Sequence, residues 1–131
     1  MMSTGRAAQQ YLQTQVRSRT PLELVVMLYD GALQSVTAAG EAAARRDIPA
    51  RRDAVSRALA ILNELQSCLD LERGGAIAGE LDRLYTWMTS RLVDATVRQD
   101  AAPIQEVRRV LDTLRDGWQQ IAAGAPAGAA P

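Results

Sequence analysis

The chain has no histidine, no phenylalanine and no lysine, and only one cysteine among its 131 residues. The missing imidazole excludes His-based catalytic triads, His phosphotransfer bundles and most zinc sites. It also excludes ferritin-like di-iron bundles, which need Glu-x-x-His on inward faces. A lone Cys68 excludes an intramolecular disulfide. Aromatic residues make up only 4%, so the core must be filled by smaller side chains. No apolar run approaches the ~18 residues of a membrane span, and membrane insertion is not expected. Residues 1–10 are polar and Ala-rich, without a signal-peptide pattern. These absences predict a soluble, cytoplasmic protein.

What is present is apolar, small and balanced in charge. Hydrophobic residues make up 47%, and 15 basic residues offset 15 acidic ones. The length fits one domain with a single core. Abundant Ala gives strong helix propensity and permits close helix approach. Every basic residue is Arg, which reads as a compositional bias rather than a phosphate site. Basic and acidic residues are interleaved, and no stripe is basic enough to argue for nucleic acid.

Four helical stripes run along the chain. Thr20, Pro21 and Glu23 form a capping-box start for the first helix. Val25, Leu28, Tyr29, Ala32, Val36, Ala39 and Ala43 then give its main stripe, to about Arg45 or Arg46. Asp47 caps the second helix, whose inward stripe is Val55, Ala58, Leu59, Leu62, Leu65 and Leu69. Gly74 and Gly75 read as the break before a third helix, over about 76–99, with Ile77, Leu81, Leu84, Tyr85 and Met88 on one face. Asp100 caps the fourth, which carries Ile104, Val107, Leu111, Leu114, Trp118 and Ile121. Short connections predict an all-α, antiparallel four-helix bundle over 20–123. Residues 1–19 are expected to be a flexible segment, with Tyr11, Leu12 and Val16 as apolar anchors of a short strap. Residues 124–131, GAPAGAAP, are expected to be a disordered tail.

No motif points to catalysis. Glu80 with Asp82, and Asp112 with Asp116, are interleaved with Arg83, Arg108 and Arg115, as on solvated helix faces. Gly74–Gly75 lacks the spacing of a phosphate loop. No cofactor and no metal ligand set is predicted. The apolar arcs, however, are wider than the ~100° that a bundle helix needs. The first helix adds Leu22, Val26 and Leu33, the second Ile61 and Cys68, the third Trp87, Val93 and Val97, the fourth Val110. Part of this excess is ordinary core, and Cys68 in particular reads as a small core hydrophobe. Taken together it predicts apolar grooves that accept amphipathic helices from a partner.

Three segments carry a resemblance. They are TPLELVVMLYDG (20–31), LNELQSCLDLERGGAIAGELDRLYTWM (62–88) and LRDGW (114–118). In this order and spacing they resemble the FliS family, the flagellin-specific export chaperones of the flagellar type III secretion system. The match spans roughly residues 11–121. One departure is Thr96, where the family usually has Asn after Ala.

The resemblance implies a four-helix bundle that binds the disordered C-terminal segment of flagellin. Such binding prevents premature polymerisation and delivers flagellin to the export gate. It also implies that Tyr11 matches a family Tyr in a lid-like N-terminal segment. Candidate partner contacts are therefore Tyr11 and Val16 on the strap, and Leu22, Val26, Tyr29 and Leu33 on the first helix. Ile61 and Cys68 on the second, Val93 and Val97 on the third and Val110 on the fourth complete the set. The alternative is a non-catalytic helical adaptor that forms a homodimer through the same apolar excess.

Overall fold

The computed structural model describes residues 20–124. The strap with Tyr11 and Val16, and tail residues 125–131, lie outside the described residues. Four helices account for nearly all of the rest: α1 (Pro21–Ala44), α2 (Ile48–Ser67), α3 (Leu71–Arg98) and α4 (Ala102–Gly124). No strand occurs among the described residues.

Helix starts follow the side-chain chemistry read from the sequence. The Thr20 hydroxyl accepts from the Glu23 amide at 3.1 Å, and the Glu23 carboxylate accepts from the Thr20 amide at 3.3 Å. Both orphan donors at the start of α1 are thus satisfied. Asp47 accepts from the Ala50 amide at 3.1 Å and caps α2. The Asp100 carboxylate accepts from the Ala102 amide at 3.0 Å at the head of α4.

The start of α3 has one turn more than expected. After Cys68–Asp70 the chain makes a helical turn from Leu71, and it then leaves helical geometry at Gly75, the break read from the sequence. Asp70 caps α3 by accepting from the Arg73 amide at 3.0 Å. The glycine pair lies inside the helix and bends its first turn. Gly75 has φ 53 and ψ −131, a conformation that costs little only without a Cβ. A Cβ on Gly74 would lie 2.5 Å from that of Ala78. One glycine is needed for its backbone angle and the other for space.

Three-residue connections (45–47, 68–70 and 99–101) force each helix to reverse on its predecessor. The helices pack in cyclic order, with α1 against α2 and α4, and α3 against α2 and α4. The core runs through Ala32, Val36 and Ala39 of α1 and Ala54, Ala58 and Leu62 of α2. Met88, Leu92 and Ala95 of α3 and Ile104, Val107 and Leu111 of α4 complete it. The many Ala residues bring the helices close, and the few large side chains are shared between layers.

Polar ties fix the register at the rim. Gln66 of α2 donates to the Asp82 carboxylate at 2.8 Å and the Thr86 hydroxyl at 3.0 Å on α3. Arg115 of α4 pairs with Asp30 of α1 at 2.8 Å, which joins two of the three segments that carry the family resemblance. Arg91 of α3 pairs with Glu106 of α4. Burial departs from the sequence reading in three places. Val26 is 7% exposed, so it does not face outward. Cys68 is exposed rather than core. Ile77, placed on an inward stripe, is 65% exposed.

Leu62 and Leu111 are fully buried. Leu62→Ala or Leu111→Ala is expected to cost about 2–5 kcal/mol of unfolding free energy, as core truncations do. Urea denaturation of each variant, at unchanged slope, checks this.

Candidate functional site

The described residues leave one end of the bundle open. Val25 and Leu28 on α1, Leu65 on α2, Leu69 in the connection, Ile77 and Leu81 on α3 and Trp118 on α4 line a groove of about 250 Å³ there. The start of α1, the end of α2, the start of α3 and the end of α4 meet at this groove, as antiparallel packing requires. Its wall is overwhelmingly apolar; Asp70 is the charged residue on it.

This groove forms because the inward stripes run past the point where the bundle closes. Val25 and Leu28 belong to the stripe of α1, yet they are only half-buried. Leu69 and Trp118 are likewise half-buried, and Ile77 is exposed. The turn of α3 before the break at Gly75 borders the groove through Asp70 and Gly74, and Leu71 there is 56% exposed. Covering this surface would remove apolar area from water, at roughly 25 cal/mol per Å².

Two phenols form the boundary between groove and core. The hydroxyls of Tyr29 on α1 and Tyr85 on α3 lie 2.6 Å apart, and both residues are almost fully buried. Tyr85 also lines the groove. Burial pushes the pKa of both phenols up. For Tyr85 the bond to Tyr29 pushes it further up, whereas for Tyr29 the bond from Tyr85 offsets part of the rise.

The sequence-predicted contacts are thus dispersed. Of them, Cys68 lines the groove. Tyr29 is fully buried, so it supports the groove from beneath rather than meeting a partner. Val26 is buried between α1 and α4. Leu22, Leu33, Ile61 and Val110 are half-buried, and the last three pack on the core. Val93 and Val97 are exposed, at 44% and 75%, near the far end of α3. Sequence reasoning missed Val25, Leu28, Leu69 and Ile77 as site residues because an inward stripe looks the same whether or not a neighbour covers it.

Among the described residues, no group of three or more His, Cys, Asp or Glu side chains is placed to hold a metal ion. No described helix is long and apolar enough to cross a membrane. The arrangement suits the docking of apolar side chains.

Comparison with known proteins agrees with the resemblance in the sequence. A family model described as "Flagellar protein FliS" matches residues 4–125. The flagellar secretion chaperone FliSB of Pseudomonas aeruginosa is 36% identical over 124 residues, covering 92% of this chain and 98% of that protein. The flagellar secretion chaperone FliS of Salmonella typhimurium is 38% identical over 115 residues, covering 87% of this chain and 85% of that protein. The Bacillus subtilis protein of the same name is 31% identical over 110 residues, covering 84% and 81%.

The tyrosine pair makes a test available. Tyr29→Phe leaves the Tyr85 hydroxyl buried without its partner, which is expected to cost ~1–3 kcal/mol. Tyr29→Phe with Tyr85→Phe should cost less than the sum of the two single changes, because no hydroxyl is then left alone. The pKa values are raised in the folded state, so stability is full below the ordinary phenol pKa of about 10 and falls as pH rises above it. Alkaline melting curves of the native protein and the double variant check this; the native protein should lose stability more steeply.

Proposed function

The chain belongs to the FliS family, and from that premise we propose that it is an export chaperone for flagellin. Its groove and the exposed face of α3 hold the C-terminal segment of flagellin as amphipathic helices. Holding that segment keeps flagellin from polymerising in the cytoplasm, and the complex is handed to the export gate. The observation that carries this reading is the open apolar end of the bundle. It is lined from all four helices, with Ile77 more than half exposed at its rim.

The physical requirements of such a chaperone agree with this surface. A disordered partner that folds on binding can wrap on the order of 1,000–3,000 Å², while ordering it costs about 2–5 kcal/mol or more. The result is a specific complex that can still release its cargo. Val93 and Val97 lie toward the opposite end of the bundle from the groove, so a segment touching both regions would run along the length of α3. No step of this mechanism needs a cofactor or a reacting side chain. A homodimer closing over the same groove is the alternative, and it predicts that flagellin is ignored.

Residues 1–19 enter this proposal through their attachment. They join α1 at Thr20, within two turns of Val25 and Leu28. At ~3.3–3.6 Å per residue, Val16 and Tyr11 are both within reach of the groove. As a lid they would cover its apolar wall in the free protein and be displaced by flagellin, and a lid lowers apparent affinity by the fraction of open molecules.

Titration calorimetry with the last ~40 residues of flagellin is expected to show a one-to-one complex with a negative heat-capacity change. Absence of heat, together with failure to co-elute with intact flagellin, contradicts the assignment. Ile77→Asp and Val97→Asp should each weaken binding about tenfold or more, equivalent to ~1.4 kcal/mol, with melting of the isolated protein unchanged. Deleting residues 1–16 should lower the melting temperature of the free protein and leave flagellin affinity equal or higher. A loss of affinity with faster dissociation would make the segment a clamp instead.

A further inference from the structure

The end of the bundle opposite the groove holds a buried charge with no counter-ion among the described residues. Arg51, on the first turn of α2, is 5% exposed. Its Nη2 donates to the Thr96 carbonyl oxygen of α3 at 3.3 Å. Its Nε is buried with no hydrogen-bond partner. The acidic residue that shares a cavity wall with Arg51, Asp47, is engaged elsewhere. Its carboxylate caps the Ala50 amide and faces Arg45 at 3.8 Å. A guanidinium carries five donors, and leaving them buried and unmatched is costly. The Thr96 contact places a cation at the C-terminal end of α3, where the helix dipole favours it. That accounts for one donor and leaves Nε unexplained.

Beside Arg51 lies a cavity of about 340 Å³, with Arg46 as a second cation and Ala42, Ala43 and Ile48 as apolar wall. We propose that this cavity is a binding site for a carboxylate carried on a short aliphatic body. The planar fork of Arg51 matches a carboxylate through two parallel hydrogen bonds, and such a ligand would supply the counter-charge that this buried guanidinium lacks. Ile48, 39% exposed, gives the aliphatic part a surface to lie on. The two guanidinium groups face one carboxylate, that of Asp47, and the carbonyl ends of α1 and α3 lie close by. This balance favours a singly charged anion over a phosphate dianion. The ligand is a small aliphatic acid or the C-terminal end of a polypeptide, which share this chemistry. The site is independent of the flagellin groove.

The test uses the full chain and follows the Arg51 Nε–Hε resonance by NMR. Butyrate, N-acetyl-alanyl-valine with a free carboxylate, phosphate and chloride are titrated at matched ionic strength. The resonance is expected to move saturably with one of the two carboxylates, and the tighter of them identifies the source. Arg46→Gln alters an exposed residue, so the fold is retained, and it should raise the dissociation constant about tenfold. Tighter saturation by phosphate than by either carboxylate overturns the proposal. So does a response to the carboxylates no different from that to chloride.

Discussion

Everything in this bundle is arranged around the hydroxyl-to-hydroxyl bond between Tyr29 and Tyr85. It joins α1 to α3, the diagonal helices of the bundle, which otherwise pack on α2 and α4. On one side of the pair the interior closes over Ala, Val, Leu and Met side chains. On the other side it stays open, and Tyr85 forms part of the wall. Two large phenols fill the width of a core built mostly from small residues. Their hydroxyls satisfy each other away from water. The bond therefore sets both the spacing of the diagonal helices and the depth at which the groove stops.

The open end follows from a conflict that the fold leaves unresolved. Each helix carries its apolar stripe one or two turns beyond the last full layer of the core. Closing the bundle there would need larger side chains at the start of α3. Instead, that region holds Gly74, Gly75, Ala76, Ala78 and Gly79. The bend at Gly75 then leaves Leu71 and Ile77 in solvent. Regions with few buried contacts are the ones that proteins give over to binding. Uncovered apolar surface lowers the stability of the free protein and supplies the driving force for taking up a partner.

Much of this architecture was legible in the residues, because caps and stripes are local. Thr20, Asp47 and Asp100 mark three helix starts by chemistry that depends only on near neighbours. The break at Gly74–Gly75 is legible as well, since Gly75 leaves helical geometry; the extra turn that Asp70 caps ahead of it carries a weaker local signal. Of the apolar residues beside the stripes, Cys68 lines the groove. Searching for apolar residues beside the stripes pointed to Val26, which is buried, and to Ile61 and Val110, which pack on the core. The groove is made by Val25, Leu28, Leu69 and Ile77 within the stripes. Whether an inward residue is covered depends on its neighbours in space. Arg51 was invisible for the same reason, since a charge at the head of a helix normally reaches water.

The central claim is that the open end of the bundle is where the partner binds. Cys68 reports on it directly, being an exposed thiol on the groove wall and the only cysteine of the chain. The decisive measurement is its rate of reaction with a small thiol reagent, alone and saturated with the C-terminal segment of flagellin. The account predicts that labelling slows about tenfold or more in the one-to-one complex. An unchanged rate, in a complex shown to be fully formed, would place the partner elsewhere and contradict it.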